Sequence, residues 1–170
     1  MKAQDILIAL KIQSLQDQAV EASQRRLAKD TGVSLSEVSA ACHRLEDVGL
    51  LSPGRRRIVG AALLEFLVHG LKFVFPIERG DVSRGMPTGY AADPLGGQFL
   101  SSKDELVPVW PDPKGAVRGV ALRPLYKSVP MAAKRDKRLY EYLALVDAIR
   151  GGRARERSKA IEVLSRRLGR

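Results

Sequence analysis

Glu65 and His69 stand four residues apart, the spacing that puts two ligating side chains on one face of a helix. A metal site needs further donors. The only other histidine is His43 and the only cysteine is Cys42, so no third ligand follows at metal-binding spacing. The pair reads instead as buried polar partners or an interface contact. Cys42 has no second thiol with which to form a disulfide, which fits a reducing cytoplasm. Its place on an apolar helix face makes it a small packing residue rather than a redox sensor. Arg84-Gly85-Met86-Pro87-Thr88-Gly89 matches neither a phosphate-cradling loop nor a dinucleotide fingerprint, and reads as a shaped loop or the mouth of a ligand pocket. No nucleophile–base constellation occurs. The expectation is a protein that is not an enzyme, with no cofactor and no metal.

Charge says more than reactive side chains do. The 170-residue chain carries 29 Lys/Arg against 19 Asp/Glu, a formal net charge of +10. Such a surface attracts polyanions: nucleic acid first, an anionic membrane second, an acidic protein third. A membrane partner is not expected. The apolar stretch from Ile58 to Ile77 carries Glu65, His69 and Lys72 and ends at Pro76, a costly arrangement for a bilayer. Lys2, Asp5 and Lys11 break any secretory pattern at the N-terminus, which points to a cytoplasmic protein. The length allows one domain or two small ones.

The elements that would position these charges follow from periodicity and caps. Residues 3 to 16 place Ile6, Leu7, Leu10 and Leu15 at helical spacing, an amphipathic first helix. Ser23 is an N-cap for a short helix through Asp30, and Thr31-Gly32-Val33 is a tight turn. Residues 35 to 48 form the best-defined helix. Ser34 and Glu37 have capping-box spacing, and Val33 and Val38 suit a hydrophobic staple. At the other end Gly49 suits a left-handed closing residue, with Leu50 folding back on Leu45. Leu50-Leu51-Ser52 and Arg57-Ile58-Val59 flank Pro53-Gly54, a short hairpin with Arg55, Arg56 and Arg57 at its tip.

Two short helices joined by a tight turn, then a basic hairpin, is the helix-turn-helix plus wing pattern. At 100° per residue, Leu35, Val38, Cys42 and Leu45 fall on one face and must pack inward. Ser36, Ala40, His43, Arg44 and Asp47 face outward, with Ser39 on the flank. A small, polar face suits a major groove. Arg44 is expected to read guanine, Ser36 and Ser39 to bond bases or phosphates, and Arg55 to Arg57 to lie along the backbone or enter the minor groove. Gln24, Arg25 and Ser34, at the starts of the two helices, complete the expected DNA-binding set. Glu37 is assigned to the cap.

The run RRLAKDTGVSLSEVSAACHRLEDVGLLSPGRRR resembles the winged-helix core of MarR-type and related bacterial repressors, through its Leu-Ala, Gly-Val-Ser, Leu-Glu and Gly-Leu-Leu landmarks. The resemblance covers about a third of the chain and implies a sequence-specific DNA-binding repressor. The wing is shorter than the family's, and the chain after Val59 does not resemble the family's dimerisation helices, so no small-molecule response is implied.

The fold class expected is mainly α with small β (α+β). Residues 1–60 form the winged helix-turn-helix. Residues 61–130 hold an apolar helix to about Phe73, an irregular loop over Glu78–Gly97, and a second hairpin pairing Val107–Trp110 with Val117–Leu122. Residues 131–170 contribute basic helices over 134–150 and 153–168. This last segment carries 12 Lys/Arg against 5 Asp/Glu, whereas residues 1–57 carry 9 against 7. Its apolar stripes, Leu139, Tyr142, Leu143, Val146 and Ile149 on one helix and Ile161, Leu164 and Leu168 on the other, are expected to pair across a homodimer axis, and its cations to lie beside the DNA and add phosphate contacts. The functional expectation is thus a homodimeric repressor on double-stranded DNA, its own promoter included. Two alternatives stand beside it: an antitoxin-like or defence-associated module gripping an acidic protein partner through the C-terminal helices, and a winged helix that binds RNA.

Overall fold

The computed structural model describes residues 1–99 and 105–169. The architecture is α+β. Three helices, α1 (Ala3–Asp17), α2 (Gln24–Thr31) and α3 (Leu35–Asp47), open the chain. A helical segment follows, made of α4 (Gly60–Glu65), a π-helical turn (Phe66–Gly70) and α5 (Leu71–Val74). Three strands come next, β1 (Arg79–Pro87), β2 (Pro108–Pro111) and β3 (Val117–Leu122), then α6 (Val129–Arg135), α7 (Lys137–Gly151) and α8 (Ala154–Leu168). One continuous hydrophobic cluster runs from Ile6 to Leu168, so the three segments delineated from the sequence share a single core.

Two helices form the middle of that core. Every residue of α1 from Asp5 to Leu15 is buried, and so is every residue of α7 from Tyr142 to Arg150. The first helix is therefore not amphipathic, as its spacing suggests; neighbours cover it on all sides. Burial all round forces its polar side chains to find partners. The Lys11 ammonium lies 2.8 Å from Asp136 and 3.0 Å from Asp30, and the Ser14 hydroxyl donates to Asp136 at 2.7 Å. Asp17, at the end of α1, accepts from the Tyr142 hydroxyl at 2.6 Å.

Asp136 also ends one helix and starts the next. Its extended backbone interrupts the helical run between α6 and α7, and its carboxylate caps α7 by accepting from the Leu139 amide at 3.1 Å. Burial alone would raise this carboxyl. Lys11, Ser14 and the Leu139 amide outweigh it and hold the group below the ordinary carboxylate range.

Farther along α7, Asp147 accepts from Trp110 Nε1 at 2.7 Å, the Thr88 hydroxyl at 2.9 Å and Arg150 at 2.9 Å. Arg150 in turn donates to the carbonyls of Phe75 and Pro76 at 2.8 and 3.1 Å. This buried pair ties the sheet and the end of α5 to α7. Burial pushes the Asp147 carboxyl up, and its three donors offset that only in part.

The middle of the chain departs from the expected layout. Glu78–Gly97 is not one irregular loop, because β1 occupies Arg79–Pro87. The stretches around Val109 and Val120 do not form a hairpin with each other. Both pair antiparallel with β1, Met86 opposite Trp110 and Ser83 opposite Gly119, and the two run parallel where they meet. The three strands close on themselves. Trp110 points into the core and its indole N–H is fixed by Asp147.

The expected helix from residue 61 is present over Gly60–Val74, broken by the π-helical turn. Glu65 and His69 lie exposed on it and are not a buried pair. The C-terminal stripes are also used differently from the expectation. Leu139, Tyr142, Leu143, Val146 and Ile149 are buried within the chain, as are Leu164 and Leu168, because α7 packs on α1 and on α8. They offer no face to a second copy. Among the described residues no helix is long and apolar enough to cross a membrane.

Candidate nucleic-acid interface

The second and third helices are held by local signals. The Ser23 hydroxyl accepts from the Arg26 amide at 3.3 Å and starts α2, and Gly32, with φ of +70°, ends it. The Ser34 hydroxyl accepts from the Glu37 amide at 3.4 Å and starts α3. At the far end Gly49, φ +75°, lets its own amide reach the Glu46 carbonyl at 3.0 Å and the Leu50 amide reach the Leu45 carbonyl at 2.9 Å. These are the two bonds of the Schellman motif.

The reciprocal half of the capping box is not made. The Glu37 carboxylate turns instead to the N-terminus of α1, accepting from Gln4 at 2.6 Å and lying 3.3 Å from Lys2.

Val38, Ala41, Cys42 and Leu45 form the inward face of α3. Leu35 is not part of it; at 47% exposure it lies on the surface, and Ala41 takes the inward place. Burial pushes the Cys42 thiol up, in keeping with a packing role.

Arg44 departs most from the expected set. Its Nε and Nη2 donate to the two oxygens of Asp5 at 2.9 and 2.7 Å, a bidentate pair with a fully buried carboxylate, and Glu37 lies 3.5 Å away. Fixed in this way, the guanidinium belongs to the α1–α3 contact and is not presented for guanine. The outward face that remains is Ser36, Ala40, His43 and Asp47, flanked by Ser39.

The hairpin after α3 is minimal. Leu51 and Ile58 form a single antiparallel bridge, framed by Ser52 N–H to Arg57 O at 2.8 Å and Val59 N–H to Leu50 O at 3.0 Å. Pro53 and Gly54 make the turn, with the Arg55 amide 3.3 Å from the Ser52 carbonyl. Glu46 anchors the tip to α3 by accepting from the Gly54 amide at 3.4 Å, and Gln16 of α1 accepts from the Ile58 amide. Neither anchor has a signal in the sequence, since Glu46 reaches backbone 8 residues on and Gln16 backbone 42 residues on. Arg55, Arg56 and Arg57 are all exposed, and among the described residues they form no ion pair. Arg56 sits in the left-handed region at φ +45°, unusual for a residue with a side chain.

A groove of about 640 Å³ runs between the start of α2, the outer flank of α3 and this tip. It brings together five of the expected residues, Gln24, His43, Arg55, Arg56 and Arg57, with Glu46 and Gln16 on the same walls. Arg25 is exposed in the first turn of α2. Ser36, Ser39 and Ala40 lie along α3 outside the groove. Ser34 is occupied by its cap and lies 3.3 Å from the Ser36 hydroxyl.

The arrangement therefore presents a helix face without a free cation of its own, bordered by arginines on the hairpin. Chemically it can accept a polyanion along the arginines while small polar side chains reach past it.

The C-terminal excess of charge is largely balanced within the chain. Lys134 pairs with Asp112, Arg138 with Asp17, Arg150 with Asp147, Arg153 with Glu105, Lys159 and Arg166 with Glu162, and Arg167 with Glu141. Among the described residues there is no group of three or more His, Cys, Asp or Glu able to hold a metal. No protein-family model, curated protein or solved structure matches this chain.

Proposed function

We propose that the protein binds double-stranded DNA through α3 and the arginine hairpin and acts as a cytoplasmic transcriptional repressor. One observation carries the reading. The outward face of α3 is small and polar, and Arg55, Arg56 and Arg57 stand beside it, exposed and without acidic partners among the described residues. Phosphate contacts from those arginines supply affinity and orientation. Ser36, Ser39 and His43 supply what base reading there is, and Arg44 positions the helix on α1 rather than touching a base. An acidic protein gripped by the C-terminal helices is the weaker reading, because most cations there already face acids of the same chain.

The repressor is proposed to act as a homodimer on a pseudo-palindromic operator. With the C-terminal stripes internal, pairing falls to another surface. Phe73, at 76% exposure, and Val74, at 53%, are the most exposed large apolar side chains among the described residues.

The test is selection of duplexes from a random-sequence pool, followed by binding across a salt series. An enriched motif whose affinity falls steeply with salt is expected. No enrichment and no salt-dependent shift would contradict DNA binding, and enrichment from an RNA pool alone would transfer the function to RNA.

A further inference from the structure

The cations that stand without acidic partners are not confined to the hairpin. Segment 127–137 docks against the turn between α2 and α3. The Ser128 hydroxyl donates to the Thr31 carbonyl, and Arg135 donates to the Lys29 carbonyl at 2.7 Å. Met131 packs so closely on Gly32 that a Cβ there would lie 2.6 Å from its methyl group.

This docking gathers Lys29, Lys127, Arg135 and Lys137 around the C-terminal end of α2. All four are exposed, and among the described residues none is in an ion pair. The acids of this corner are already neutralised. Asp30 and Asp136 share the buried Lys11, Arg26 lies 3.7 Å from Asp30 as a second cation, Asp112 is paired with Lys134, and Glu141 lies against Arg138 and Arg167. The positive charge is therefore not balanced locally.

Its position relative to α3 gives it meaning. The hairpin arginines follow the C-terminal end of that helix, and the α2–α6 corner docks on the turn that leads into its N-terminal end. The 13 residues of α3 span about 20 Å at 1.5 Å per residue. A major groove is about 12 Å wide, so two cation groups at this separation can reach the phosphate strands on both of its sides.

We infer that Lys29, Lys127, Arg135 and Lys137 form a second phosphate-contacting surface. The duplex would be held at both ends of α3, and the C-terminal half of the chain would take part in DNA binding through the stretch from Lys127 to Lys137, the first residue of α7, rather than through the body of α7 or α8. The inference rests on the DNA-binding reading above.

The test measures binding of a 30-base-pair duplex by fluorescence anisotropy across a salt series. It compares the full chain, the triple variant Lys29→Ala/Lys127→Ala/Lys137→Ala, and a control of equal charge on α8, Arg155→Ala/Lys159→Ala/Arg166→Ala. Removing one phosphate-neutralising cation should lower the slope of log K against log salt by roughly 0.9. The corner variant is expected to lose about two to three from the slope and at least tenfold in affinity at low salt, with the α8 control close to the parent. Equal losses in both variants would reduce the effect to net charge and overturn the inference. An unchanged slope in the corner variant, with the parent binding, overturns this inference alone. A parent that binds no duplex overturns the DNA-binding reading with it.

Discussion

α3 and α7 are helices of similar length, 13 and 15 residues, with opposite relations to solvent. α3 buries one face, Val38, Ala41, Cys42 and Leu45, and leaves the other free. α7 is buried continuously from Tyr142 to Arg150 and must satisfy Asp147 and Arg150 internally. The contrast separates a helix that displays side chains from one that holds the molecule together. It predicts that substitutions in the buried stretch Tyr142–Arg150 of α7 act on stability, and that substitutions on the free face of α3 and its hairpin act on binding.

The largest effect should come from breaking the buried pair of α7. Arg150→Met leaves the Asp147 carboxylate in the core without its cation, a loss of roughly 3–5 kcal/mol in urea denaturation. Because burial already pushes the Asp147 carboxyl up, the variant should regain stability as pH falls and the group takes a proton, losing it again as pH rises through that raised pKa. A variant within about 1 kcal/mol of the parent at neutral pH would remove α7 from its scaffold role.

Arg44→Ala comes next and sharpens the comparison from the α3 side. If Arg44 holds α3 to the buried Asp5, its removal should cost about 1–3 kcal/mol of stability. It should also weaken selected and random duplexes by the same factor. A loss confined to the selected sequence would return Arg44 to base reading.

A smaller effect belongs to Asp136, the cap between α6 and α7. Its carboxyl is held low in the fold, so its contribution is present above the ordinary carboxylate pKa of about 3.9 and fades as pH drops through the lower folded value. Lys11→Met removes the cation and should shift the acid-unfolding limb to higher pH. A limb that does not move would show that Lys11 is not what holds the carboxyl down.

The smallest effect on stability belongs to Arg55→Ala/Arg56→Ala/Arg57→Ala, expected within about 0.5 kcal/mol of the parent. The same change should reduce the salt slope of DNA binding by up to about three. A variant that loses stability but not salt slope would invert the division between scaffold and display.

How much of this was legible in the sequence depended on distance along the chain. α3 could be read to within a residue because Ser34, Gly49 and Leu50 act on backbone groups a few positions away. The hairpin was legible from Pro53-Gly54 for the same reason. The Arg44–Asp5 pair is not legible, because Asp5 lies 39 residues upstream and a helical wheel assigns a charged residue to solvent by default. β1 is not legible, because Gly80, Gly85 and Pro87 interrupt it and most of its residues are exposed, leaving no alternation to detect. The C-terminal stripes are legible as apolar, but not what they pack against. Periodicity shows that a face must be covered, and only the tertiary structure shows that α1 and α8 cover the stripe of α7, and α7 and α4 that of α8.

Amide hydrogen exchange of the full chain, with and without a selected duplex, tests the central claim most directly. Binding by α3 and its hairpin predicts added protection at residues 34–43 and 53–57, with residues 142–150 unchanged because they are already buried. Protection confined to the strands or to α8, with residues 34–57 unaffected, would contradict it.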